Sequence, residues 1–220
     1  MSTDTAEVWH RVREVRLDLA DRVDGLDQEQ AATPSLCEGW RVRDVVGHLV
    51  HLAEATQLSM ARDVARNGPS PQRALGRVAV RLGDLPLDEL ASRLRGAADG
   101  RFRIVGLPPA TVLGEVVVHR EDALRPLGIT VDVDPASLVP VLDLYVRIGR
   151  VAFGRSLRGV TLAATDVTWQ TGSGPVIEGP ALELLLLLAG RRAPLRDLRG
   201  PGLGRVGGEP VAGPVVDPPG

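Results

Sequence analysis

The sequence predicts two folded parts: an N-terminal up-and-down bundle of four helical regions, then a small α+β domain. Three observations lead there. Apolar residues recur at helical spacing up to about residue 125, and short β-like pieces with Gly-rich turns occur only after Gly128. The chain also has 220 residues with 44% hydrophobic and 25% charged content, enough for one large domain or two small ones with a real core. With only 3% aromatics, that core must be built mostly from Val, Leu and Ala.

The first helix is expected over residues 3–24, capped by Ser2 or Thr3, with Val8, Val12, Val15, Leu19 and Val23 at helical spacing. "DGLDQEQAATPSLCEGW" reads as a loop of turn formers. A second helix runs from about Val42 to Arg66 and is closed by "NGPSP". "RALGRVAVRLGDLPLDELASRLRGAAD" is a third helical region with a break near Gly83 to Pro86, and "GRFRIVGLPPA" is a loop. The fourth helix spans about Thr111 to Arg125 and stops before Pro126 and Gly128. Its weak point is "EVVVH", because three valines in a row favour a strand; spacing through Leu113, Val117 and Leu124 favours a helix buried on most of its surface. Beyond a linker, "ITVDVDP", come a helix in "ASLVPVLDLYVRIGRVAF" and β-like pieces in "GVTLAATD", "VTWQTGSG" and "PVIEG". A last helix, "PALELLLLLAGRR", has Pro180 at its start and Gly190 at its end. The expected domains are 1–128 for the bundle and 135–202 for the α+β domain, with a disordered Gly/Pro-rich tail over 203–220.

Composition removes several function classes. All 26 basic residues are Arg, which excludes lysine Schiff-base chemistry and a phosphate loop ending in Gly-Lys. Up to residue 128 there are 17 Arg against 19 acids, and 9 against 9 after it, so neither part has the basic excess of a nucleic-acid binder. The single cysteine, Cys37, permits no intrachain disulfide, the N-terminal segment is charged throughout, and the longest apolar run is too short to span a bilayer. A soluble cytoplasmic protein with no membrane partner is expected.

Two apparent motifs fail on context. "GLGRVG" at 202–207 matches a dinucleotide fingerprint, but that motif needs a strand before it, a helix after it and an acid about 20 residues on, and the 13 residues that follow contain four prolines. "GSG" at 172–174 lacks the G-x-S-x-G frame of a nucleophile elbow and reads as a turn. Cys37 has no histidine near it in sequence and reads as an incidental loop cysteine; His10, beside Trp9, reads as structural or surface.

The informative stretch is "GEVVVHREDALRPLG". Glu115 and His119 are four apart and share one face of a helix, a relation that also survives in a strand. Standing alone, such a pair is better explained by a helical side-chain hydrogen bond. His48, in the apolar "VRDVVGHLVHLAEA" of the second helix, changes that balance: two histidines and a glutamate from two helices suit Zn²⁺ or a similar divalent ion with an open coordination position. His51, three residues on, is the second choice for the ligand from this helix. Asp122, one turn beyond His119, suits either an acceptor behind that histidine or a solvated polar position.

"GWRVRDVVGHLVHLAEA" together with "GEVVVHREDALRPLG" resembles the mycothiol-dependent maleylpyruvate isomerase family, among the DinB-like metal-binding bundles. "LAATDVTWQTGSGPVIEGPALELLLLLAGR" resembles that family's second domain, a sterol-carrier-like module. The resemblance covers roughly Thr3 to Gly200 and implies a DinB-like four-helix bundle followed by the sterol-carrier-like α+β domain. Its metal ligands fall on His48, Glu115 and His119. One departure is Arg41 after "GW", where relatives often carry Thr or Ser, which is expected to weaken the helix cap by ~1 kcal/mol.

The family's chemistry implies an isomerase or S-transferase. A divalent metal, Zn²⁺ by expectation, activates a low-molecular-weight thiol, mycothiol, which attacks a small electrophilic substrate; on a maleyl double bond the steps are addition, rotation and elimination. Two other classes fit the same residues: a non-catalytic metal- or apolar-ligand-binding protein, and a metal-dependent hydrolase.

Overall fold

The computed structural model describes residues 5–67, 70–152 and 159–206. The chain divides after Thr130 into two compact units. As the sequence leads one to expect, the first is helical and the second combines a small sheet with helices.

In the first unit, α1 (Thr5–Asp24) buries Val8, Val12, Leu19 and Val23, widened by Trp9 and Ala20. Val15 is only half-buried, and its neighbour Arg16 takes the interior place, 1% exposed. Arg16 is tolerated there because its guanidinium donates from Nη1 to the carbonyls of Ala98 at 3.1 Å and Gly100 at 2.7 Å, just beyond the end of α6. Burial pushes its pKa down to about 10, partly offset by Asp99.

The stretch read as a loop after α1 contains a short helix, α2 (Gln28–Ala32). Its signal is a capping box: Gln30 N–H donates to Asp27 Oδ1 at 2.8 Å, and Asp27 N–H donates to Gln30 Oε1 at 3.0 Å. The single second helix expected over 42–66 is two helices, α3 (Val42–Glu54) and α4 (Gln57–Asn67). The break has a local cause: Ser59 N–H donates to Thr56 Oγ1 at 3.1 Å and Thr56 N–H to Ser59 Oγ at 2.9 Å, so Thr56 starts a new helix instead of continuing α3. The third region divides where Gly83 to Pro86 suggested, into α5 (Pro71–Gly83) and α6 (Leu87–Gly96).

The valines of "EVVVH" lie within a helix, α7 (Ala110–Leu124), and Val116, Val117 and Val118 are all buried. A strand preference is overridden because almost every side of α7 meets a neighbour, so branched side chains fill space in all directions. α3 packs against α5, α6 and α7, and α1 against α6 and α7. The α3–α5 crossing is close because two glycines meet there: a Cβ on Gly47 would lie 2.5 Å from the Ala79 carbonyl oxygen and 2.6 Å from Gly83 N.

Arg41 supplies no side-chain acceptor to the start of α3. The entry is secured otherwise. Asp44 accepts the Arg41 backbone N–H at 2.8 Å and ion-pairs with its guanidinium at 2.7 Å, and Val42 N–H reaches the Thr33 carbonyl at 2.9 Å. These contacts replace much of the cap that Thr or Ser would give.

In the second unit, α8 (Pro135–Ala152) and α9 (Ala181–Leu188) pack together, and α9 also covers a three-stranded sheet of order β2-β1-β3. β1 (Thr161–Ala164) pairs antiparallel with β2 (Gln170–Gly172), Leu162 opposite Thr171. It pairs parallel with β3 (Val176–Gly179), Leu162 opposite Ile177. Leu184 to Leu188 of α9 are buried, as are Leu162 and Ile177. Trp169 Nε1 donates to Asp143 at 2.9 Å and ties the β1–β2 turn to α8. Gly190, with φ of 85°, ends the last helix where expected. The Gly/Pro-rich segment expected to be disordered from 203 begins inside an ordered 3-10 turn, Pro201–Arg205. Gly202 is buried there, and a Cβ on it would sit 2.6 Å from Ile177 Cγ1, so the missing side chain is what lets this turn close on β3. The rest of that segment, from 207, lies outside the described residues. No helix among the described residues is long and apolar enough to cross a membrane.

Candidate metal centre

His48 lies mid-way along α3 and is 8% exposed; Glu115 and His119 lie one turn apart on α7. The packing of α3 on α7 brings the three together, with one ligand-type atom of each within 4.8 Å of the others. His119 Nε2 is 3.1 Å from Glu115 Oε2, and His48 Nε2 is 3.9 Å from the same oxygen. The imidazoles meet nearly edge-on, centroids 4.9 Å apart at 77°. The Glu115 side chain is 43% exposed against 10% and 12% for the histidines, so the site opens to solvent on its carboxylate side.

The donor set fits a small divalent cation. A tetrahedral ion with bonds of about 2.0–2.2 Å holds its ligand atoms about 3.3–3.6 Å apart. The observed 3.1 and 3.9 Å bracket that separation, and all three ligand atoms lie within 4.8 Å of one another. Behind His119, Asp122 Oδ2 lies 2.9 Å from Nδ1, and Asp122 is 0% exposed. A buried carboxylate at Nδ1 keeps a proton on that nitrogen and turns Nε2 toward Glu115 and His48, the arrangement of a metal-binding histidine with its outer partner.

Electrostatics separate the three. Burial pushes the His48 pKa below its usual value, and the Glu115 hydrogen bond only partly restores it, so burial favours the neutral imidazole that a metal needs. Desolvation pushes Glu115 up, but His119 and His48 outweigh it and hold the carboxyl ionised, well below its usual range. Burial also pulls His119 down, yet Cys37, Asp122 and Glu115 together raise it well above its usual value. A cation at this position therefore competes with a proton on His119.

Two residues that sequence reading passed over belong to this site. Cys37, read as incidental, donates from Sγ to Asp122 Oδ2 at 3.1 Å and lies 3.6 Å from His119 Nδ1. The Trp40 ring packs on His48, centroids 5.3 Å apart. Cys37, His119 and Asp122 form a second ligand-type cluster, but separations of 2.9 and 3.1 Å around Asp122 Oδ2 are those of hydrogen bonds to one acceptor. The only sequence hint was that both residues precede the helix carrying His48. His48 Nδ1 and Trp40 Nε1 are buried without a hydrogen-bond partner among the described residues.

The structure sends the other histidines elsewhere. His51 turns to Asp63 on α4, Nε2 to Oδ2 3.5 Å, and is outside the cluster. His10 is exposed beside Glu14 at 3.2 Å. A surface cavity of about 320 Å³ is lined by Gln57, Arg101, Arg103, Val105 and Gly106, none of them in the cluster. Donor chemistry, and not cavity size, marks the site.

Residues 12–106 match the family model described as the mycothiol maleylpyruvate isomerase N-terminal domain. That span includes His48 and ends before Glu115 and His119. No curated protein matches the sequence. Among solved structures, the chain is similar to the crystal structure of the mycothiol-dependent maleylpyruvate isomerase, with 18% identity, a TM-score of 0.62, and coverage of 99% of this chain and 97% of that one. It is equally similar to a crystal structure of a mutant of that enzyme, with 17% identity and the same TM-score and coverage. At such identities the likeness is one of fold, and it extends through both units. The resemblance read from "GWRVRDVVGHLVHLAEA" is matched by the family model over 12–106, so this stretch of the helical unit is similar to the mycothiol maleylpyruvate isomerase N-terminal domain.

Proposed function

We propose that the protein is a metal-dependent enzyme that uses a low-molecular-weight thiol, mycothiol by family likeness, to isomerise or S-transfer a small electrophilic substrate. The observation that carries this reading is the convergence of His48, Glu115 and His119 from two helices on one partly open point. A divalent ion held by these three, Zn²⁺ by the chemistry of two imidazoles and a carboxylate, lowers the pKa of a coordinated thiol and so supplies a nucleophile at neutral pH.

The chain's own residues have separate parts in this reading. His48 binds as a neutral imidazole, kept so by burial. Glu115 contributes the negative charge and borders the open side, where thiol and substrate enter. His119 gives Nε2 to the ion while Asp122 holds its other proton. No protein thiol needs to act as nucleophile: Cys37 faces the Asp122 carboxylate on the outer side of His119.

The test is cobalt substitution. With Co²⁺ in place of Zn²⁺, mycothiol or a comparable thiol at millimolar concentration is expected to add an intense charge-transfer band, and the band is expected to persist in Cys37→Ser. Protein that takes up Co²⁺ but shows no spectral response to any thiol would overturn the thiol-dependent reading while leaving a metal site.

A further inference from the structure

The segment from Ser35 to Trp40 is a rigid clasp. Ser35 N–H donates to the Trp40 carbonyl at 2.8 Å, Trp40 N–H to the Cys37 carbonyl at 3.0 Å, and Cys37 N–H to Ser35 Oγ at 3.1 Å. Gly39, at φ of 76°, permits the reversal that closes it. The clasp is fixed to α7 at one residue: Leu36 N–H donates to the Asp122 carbonyl at 3.0 Å. From that anchor Cys37 reaches the outer side of His119, and Trp40 packs on His48.

We propose that Cys37 is a positioning residue of the metal centre: its thiol fixes the Asp122 carboxylate, and through it the orientation in which His119 presents Nε2 to the cation. The inference rests on the metal-binding reading above. Its geometry is specific. The Cys37 thiol and His119 Nδ1 meet at the same oxygen, Asp122 Oδ2, at 3.1 and 2.9 Å. Two donors at one oxygen define the carboxylate's rotation, which one donor alone leaves softer. Sγ also lies 3.6 Å from Nδ1, within reach of a weak contact to sulfur, but Asp122 Oδ2 at 2.9 Å is the nearer and stronger acceptor for the imidazole proton.

A thiol suits both surroundings it meets. Cys37 packs against the cluster of Trp40, Val42, Val45, Ala79 and Ala123, where a small apolar group is required, and on its other side it supplies a weak donor to a buried carboxylate. Packing alone would explain the first contact and not the second, and substitutions separate the two. Cys37→Ala keeps a small apolar side chain and removes the donor. Cys37→Ser keeps a donor.

Zn²⁺ affinity is measured by chelator competition for wild type, Cys37→Ala and Cys37→Ser. Alongside it, ¹⁵N NMR of histidine-labelled, metal-free protein reads whether His119 Nδ1 carries a held proton. The expected result is about tenfold weaker Zn²⁺ binding for Cys37→Ala, the low edge of the range for groups behind a metal-bound histidine. Cys37→Ser should stay within about threefold of wild type, with its Nδ1 proton signal retained, since an O–H donor replaces the S–H. Equal affinity in Cys37→Ala and wild type, or equal loss in Ala and Ser variants, overturns the proposal. If wild type binds no metal, the metal reading fails by itself. The NMR comparison still decides whether Cys37 orders the Asp122–His119 pair, including in the Ser variant should the Ala variant fail to fold.

Discussion

Replacing Asp122 by Asn probes the site without touching a ligand. Asn fills the same volume, but it loses the charge that meets the His119 Nδ1–H at 2.9 Å. A hydrogen bond to a charged group contributes about 1.5–3 kcal/mol. Loss of an outer partner of a metal-bound histidine costs about 10–100-fold in affinity, or about 1.4–2.7 kcal/mol, and the two estimates agree. Direction with pH follows from His119. Burial lowers its pKa, but Cys37, Asp122 and Glu115 outweigh that and raise it, so a proton competes with the cation in wild type. Removing the Asp122 charge lowers that pKa and relieves part of the competition. The variant's deficit should therefore be largest at high pH, where neither protein carries the proton, and shrink as pH falls through the wild-type value. The ionisable groups that face His119 are His48, Glu115, Asp122 and Cys37. Zn²⁺ affinity for both proteins, measured by chelator competition at several pH values, tests both size and slope. Equal affinity at high pH, or a deficit that grows on acidification, would refute this account of His119.

Two further outcomes check the surrounding assignments. His119→Ala should lose most of the bound metal by elemental analysis while His51→Ala keeps it, because His51 faces Asp63 and not the cluster; full occupancy in His119→Ala contradicts the ligand set. Gly47→Ala places a Cβ 2.5 Å from the Ala79 carbonyl oxygen and 2.6 Å from Gly83 N, both backbone, so α3 and α5 must separate; a loss of about 1–3 kcal/mol, read as a fall in Tm of several degrees, is expected, and an unchanged Tm contradicts the close crossing.

What the sequence made legible follows from periodicity. Glu115 and His119 share a face in either secondary structure, and His48 sits in a helix apolar enough to bury it, so three residues on two elements could be brought to one point before any contact was known. Local chemistry corrected the rest at short range. The capping pairs Asp27–Gln30 and Thr56–Ser59 were present in the sequence and, weighted fully, mark the start of α2 and the break before α4. Arg16 was not legible, since the carbonyls that satisfy it lie more than 80 residues away.

The same division runs through the site itself. Its ligands stand on helices, where spacing fixes direction, but Cys37 and Trp40 come from a loop whose path is set by one long-range bond, Leu36 N–H to the Asp122 carbonyl, and by the Ser35 turn. No local pattern encodes that bond. Asp122 is the hinge of the arrangement: its backbone fixes the loop, and its side chain receives both the loop's thiol and the ligand's imidazole. A change that moves the loop, such as Ser35→Ala, is therefore expected to weaken metal binding at a distance from every ligand, with His119 affected through Cys37 and His48 through Trp40.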